Sequence, residues 1–127
     1  MTEYPTENQI IELNKDVLKR IKVKKADAHK VLSHGKLARA IEESKADTGD
    51  VYGKASTLLM SLTRGHAFES ANRRTAIAVT EIFLRANGEI PKLKHDERVL
   101  IGIREGFYTK LEIKNWLKGD AIRPFNR

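Results

Sequence analysis

Apolar residues recur at steps of three and four along nearly the whole chain, the period of a helix with one face turned to a core. Thr6-Glu-Asn-Gln9 has the spacing of a capping box, and Ile10, Leu13, Val17, Leu18 and Ile21 follow it as an amphipathic stripe. Leu32, Leu37 and Ile41 predict a second helical region, interrupted or started afresh around Gly35, and Lys45-Ala-Asp-Thr-Gly-Asp50 reads as a polar, exposed loop. Tyr52, Ala55, Leu58, Leu59 and Leu62 mark a third helix over about residues 51–64, with Gly65 suited to its end. Ala76, Val79, Ile82, Phe83 and Ala86 put an apolar stripe on a buried central helix over about residues 71–87, which Asn87-Gly88 stops. Two last helices are predicted from His95-Asp-Glu to Arg104 and after the capping box Thr109-Lys-Leu-Glu112, where Trp116 lies in phase with Leu111, Ile113 and Leu117 as a core or interface anchor.

Strand-length alternation is absent, so the pattern predicts an all-α bundle of about six helices. With 127 residues, 40% of them hydrophobic and 32% charged, the chain suits one folded domain spanning residues 1–127. No cysteine is present, which excludes disulfides, thiolate zinc sites and a cysteine nucleophile. His29 and His34 stand five apart, off the spacing of helical metal pairs, and with His95 are read as bystanders. Met1-Thr-Glu-Tyr-Pro lacks the layout of a signal peptide and no segment approaches the ~20 apolar residues of a membrane span, so the expectation is a cytoplasmic protein without membrane contact.

Charge widens the list of partners. The formal net charge of +7, part of it in Lys19-Arg-Ile-Lys-Val-Lys-Lys25, favours anions: nucleic acid, nucleotide phosphates or an acidic protein. A nucleic-acid module would rest on charge alone, because no recognition-helix motif accompanies it.

The chemistry concentrates in Gly65-His-Ala-Phe-Glu-Ser-Ala-Asn-Arg-Arg-Thr75, which joins two apolar helices yet packs histidine, serine, asparagine and two arginines together. The helix that starts here offers free backbone N–H groups and the positive end of its dipole, an anion site to which Arg73 and Arg74 add charge. His66 precedes that helix start, where a neutral imidazole accepts a proton from an attacking hydroxyl near neutral pH. Arg74 has an alternative, pairing with Glu42, Glu43 or Glu81. Phosphoryl or nucleotidyl transfer is the reaction class expected.

The segment resembles the Fic/Doc signature H-x-F-x-(D/E)-(G/A)-N-(G/K)-R, with His66, Phe68, Ala71, Asn72 and Arg74 in register. The flanking helices, Asp50 to Leu62 and Arg74 to Gly88, look like those around the motif in death-on-curing (Doc) proteins. The resemblance implies that His66 is the general base, that Phe68 is a buried anchor of the loop, and that Asn72 and Arg74 hold the nucleotide's phosphates. Arg73 stands where Doc proteins have lysine and Fic nucleotidyltransferases usually have glycine. It therefore implies a Doc-like toxin, a kinase that moves the γ-phosphoryl group of ATP to a hydroxyl on a cellular protein such as a translation factor. Fic-type AMP transfer and a non-catalytic, nucleotide- or antitoxin-binding Doc fold are the alternatives.

One position departs from the family. The acid that binds Mg2+ there is Ser70, which ligates the ion without negative charge and so holds it more weakly; its oxygen is also suited to cap the helix. Glu69 is next to it, but one helical residue turns a side chain by about 100°, so it substitutes only if the loop is rebuilt. Self-restrained members carry an S/T-x-x-x-E-(G/N) helix. Here Glu7-Asn8 follows Glu3 at the required place and Glu105-Gly106 follows Ile101, so the resemblance implies inhibition in trans by a Phd-like antitoxin that folds as a helix on binding.

Overall fold

The computed structural model describes residues 1–21 and 29–126. Among these the chain is all-helical: α1 (Glu7–Ile21), α2 (His34–Ala46), α3 (Val51–Gly65), α4 (Asn72–Ala86), α5 (Glu97–Arg104) and α6 (Lys110–Leu117). Both capping boxes form. Thr6 Oγ1 accepts from Gln9 N at 3.1 Å while Gln9 Oε1 accepts from Thr6 N at 2.8 Å, and Thr109 with Glu112 repeats the arrangement at α6. Asp50, Asp96 and Ser33 cap α3, α5 and α2 by accepting from first-turn N–H groups.

Helix α3 packs against α2, α4, α5 and α6, and α4 packs against α3 and α1, so these two helices carry the core between them. Leu58, Leu59, Leu62, Ala76, Val79 and Phe83 are buried at their interface, and Trp116 and Leu117 close it from α6. A Cβ on Gly102 of α5 would lie 2.5 Å from the Tyr108 ring and 3.1 Å from Phe125, so the absent side chain is what lets both aromatics reach the helix backbone.

Four expectations need correction. Leu32 is not helical: residues 30–33 run extended beside 67–69, with Leu32 N and Ser33 N donating to Ala67 O, Glu69 N donating to Lys30 O, and an isolated bridge from Val31 to Phe68. α2 therefore starts only after its Ser33 cap, and Leu32 is left exposed. Ile82 and Leu111 sit on their helices but face outward, at 49% and 63% exposure, because the buried arcs of α4 and α6 are narrower than the apolar stripes. Gly65 is the last residue of α3, as expected, and the left-handed residue that follows it is His66 (φ 51°). Finally, the loop after α2 is not wholly polar surface. Asp47 turns its carboxylate inward to accept from Thr57 Oγ1 at 2.6 Å, from Gly49 N at 2.7 Å and from Lys110. The basic run Lys19 to Lys25 lies, from residue 22 onward, outside the described residues.

Candidate functional site

Two left-handed residues bracket the motif: His66 at the end of α3 and Ala71 (φ 62°), which occupies the N-cap position of α4 without a capping side chain. The cap position thus falls on Ala71 rather than on Ser70. Left-handed backbone costs a non-glycine residue roughly 1 kcal/mol, so the loop needs restraints to hold this shape. Phe68, 2% exposed, provides one by anchoring its ring in the core.

Asn72 provides the second. Its Oδ1 accepts from Phe68 N at 3.0 Å, and its Nδ2 donates to Phe68 O at 2.9 Å and to His66 Nδ1 at 3.2 Å. Both amide hydrogens are therefore engaged inside the loop. The side chain thus ties the loop and orients the His66 ring, whose lone pair lies on Nδ1 when Asn72 is the donor, and Asn72 also lines the cleft at the N-terminus of α4.

A third restraint arrives from α1. Asn14, fully buried, donates through Nδ2 to Ser70 O and to Thr75 Oγ1, both at 3.0 Å, and its Oδ1 lies 2.8 Å from His29 Nδ1. With both Asn14 hydrogens committed, Oδ1 is the acceptor and Nδ1 of His29 carries the proton. Burial, then the positive charge of Lys15, lowers the His29 pKa against an opposing pull from Glu12, which favours this neutral ring. His29, read as a bystander, is a strut of the motif loop. Its ring also lies 6.1 Å from that of Phe68.

The result is a cleft of about 320 Å³ at the N-terminus of α4, lined by His66, Glu69, Ser70, Asn72, Arg73 and Arg74 with Thr63, Glu97 and Arg104. His66 is exposed at its lip. Arg73 Nε donates to Glu97 Oε1 at 2.7 Å, so this cation is held by α5. Arg74 is exposed and makes no ion pair or hydrogen bond among the described residues. Its alternative partners are engaged elsewhere: Glu81 with His95, Glu43 with Ser61, Glu42 with Lys45. Arg74 also lines a second cleft of about 400 Å³, shared with Glu97, Ile77, Glu81 and Leu100.

Two wall residues escaped the sequence reading. Thr63, one turn before His66, falls in phase with Leu59 and Leu62 and carries no signal beyond being a hydroxyl on an apolar face. Arg104 ends α5, far from the motif in sequence. The donor set does not fit Mg2+ well: Ser70 stands at the acid position, Glu97 is engaged by Arg73, and no cluster of three His, Asp or Glu forms among the described residues. No helix among them is long and apolar enough to cross a membrane.

These features define a small helical bundle whose histidine-bearing turn stands at the rim of a cleft at the N-terminus of α4. The chain belongs to the Fic/DOC family, whose model matches residues 4–84, from the start of α1 to near the end of α4. No curated protein matches it.

Proposed function

We propose that the protein is a Doc-like toxin that transfers the γ-phosphoryl group of ATP to a hydroxyl of a cellular protein and is silenced by a separate Phd-like antitoxin. The observation that carries this reading is the placement of exposed His66 on the rim of a cleft formed by the α4 N-terminus and Arg74, which has no partner among the described residues. His66 Nδ1 takes the proton of the target hydroxyl as the long Asn72 contact gives way. The hydroxyl oxygen then bonds to the γ-phosphorus, the bond to the β-γ bridging oxygen breaks, and ADP leaves with that electron pair. First-turn N–H groups and Arg74 neutralise the charge that spreads over the phosphoryl oxygens. Arg73, extended across to Glu97, narrows the site on the side of α5.

Ser70 favours a second reading, a Doc fold that binds nucleotide without turnover. Incubation with cell lysate and ATP labelled in the γ or the α position separates the readings. γ label on a protein that is lost in His66→Ala supports the kinase; α label indicates AMP transfer. No label with nucleotide still bound sinks the transferase.

A further inference from the structure

A hollow of about 480 Å³ lies between α2 and α3, and the transfer chemistry makes no use of it. Its wall carries four cations, Lys36, Arg39, Arg64 and Lys110, against one carboxylate, Glu43. All five residues are exposed. Lys110 is paired with Asp47, and Glu43 Oε1 accepts from Ser61 Oγ at 2.6 Å. Arg64 Nε donates to Ile103 O at 3.1 Å, which holds the guanidinium against α5 and leaves its charge without an acid among the described residues. The Lys36 and Arg39 side chains make no hydrogen bond or ion pair among the described residues. Like charges gathered on one concave wall repel one another, and an anionic guest relieves that repulsion.

The position of the hollow says what the guest is for. The Lys36 stem lies along the end of α3, its Cβ and Cδ 3.8 and 3.9 Å from where a Cβ on Gly65 would stand. Gly65 lines the hollow, and His66, the next residue, lines the motif cleft. The cations and the base thus stand on either side of one helix end. An acidic peptide segment suits the hollow better than nucleic acid does. No aromatic side chain lines it to stack a base, and Glu43 would meet a continuous ridge of phosphates with like charge.

We propose that this hollow docks an acidic segment of the protein substrate, its carboxylates received by Lys36, Arg39 and Arg64 while a hydroxyl a few residues along the same segment reaches His66. The proposal rests on the transferase reading of the motif cleft and adds the class of substrate to it. That class is a protein whose accepting hydroxyl lies in an acidic stretch.

Fluorescence anisotropy of a fluorescein-labelled peptide, a serine flanked on both sides by glutamates, tests the docking. The same peptide with lysines for glutamates and a short labelled DNA duplex are the comparisons. Expected are saturable binding of the glutamate peptide alone and weakening of roughly tenfold or more when Lys36→Glu is combined with Arg39→Glu. Arg85→Glu combined with Lys94→Glu makes the same change of net charge on exposed residues outside both hollows and should leave binding unchanged. Both double variants should melt within about 3 °C of wild type, because the altered side chains are exposed. His66→Ala should bind the peptide as wild type does, and in the γ-label assay with lysate the Lys36 and Arg39 pair should lose labelling in proportion to its lost affinity. No binding of the glutamate peptide, binding that survives the Lys36 and Arg39 reversal, or DNA bound in preference and lost in that variant would overturn the proposal. Full labelling by that variant would overturn it too and leave the transferase standing. Charge-dependent peptide binding with no labelling by any form would instead sink the transferase and leave the hollow as a docking site for an acidic segment.

Discussion

Asn14→Ala is the most informative single substitution outside the motif. The side chain is fully buried and makes hydrogen bonds to Ser70 O and Thr75 Oγ1, each at 3.0 Å, and to His29 at 2.8 Å. Truncation leaves the Ser70 carbonyl without this donor and Thr75, 1% exposed, without its partner, while half-exposed His29 reaches water. Two lost hydrogen bonds at roughly 1 kcal/mol each, plus about 1 kcal/mol for the small void, give a loss near 3 kcal/mol. That is a large share of the 5–15 kcal/mol typical of a domain. Trp116, the single tryptophan and 3% exposed, reports unfolding by its fluorescence in a urea titration. The midpoint should fall with an unchanged slope. Asn14→Leu, which restores volume but no hydrogen bond, should recover only the void contribution. A loss under about 1 kcal/mol for Asn14→Ala would refute the view that α1 holds the motif loop.

Two further outcomes follow from the packing and the electrostatics. Gly102→Ala should destabilise the protein by roughly 1–3 kcal/mol, because its Cβ would meet the Tyr108 ring at 2.5 Å, whereas helix propensity alone predicts a gain of about 1 kcal/mol; a raised midpoint in urea would show that Tyr108 and Phe125 give way. For Asp47, burial raises the carboxyl pKa, but hydrogen bonds from Lys110, Thr57 and Gly49 and the Lys110 charge outweigh it and bring the value down to about 2. A folded-state value below the ordinary 3.8 stabilises the protein above that pH and ceases to as pH falls through the folded value, so Asp47→Asn should cost roughly 2 kcal/mol at neutral pH and progressively less between pH 4 and 2. Denaturant midpoints measured against pH for both proteins check this, and a difference independent of pH would refute it.

What was legible in the chain was what local rules govern. The capping boxes at Thr6 and Thr109 and the stop at Asn87-Gly88 are contacts within a few residues, and each forms as its spacing predicts. The motif, too, lies where the helix pattern breaks. What was not legible depends on partners far along the chain. Asn14 follows Ile10 by four residues and is buried with it, but nothing near it in sequence says that its acceptors are Ser70 and Thr75. Leu32 counted as a helical apolar position because its pairing with Ala67 is non-local. Arg104 and Thr63 reach the cleft only through the packing of α5 and α3. That Asn72 braces the loop through Phe68 and His66 is likewise read only from the folded turn.

The Asn14 network also has a kinetic consequence. Its bonds span 56 and 61 residues, so closing them requires α1 to dock on α4 after the long intervening chain has been ordered, and such distant contacts form late because loop closure precedes their reward. Phe68, Asn72 and the segment 30–33 can begin to shape the loop earlier, but the contact that Asn14 makes with Ser70, beside the second left-handed turn at Ala71, waits for α1. A chain with α2 to α4 assembled and α1 undocked would be compact, helical and without a finished site. The finished shape of the motif loop is thus a readout of complete folding.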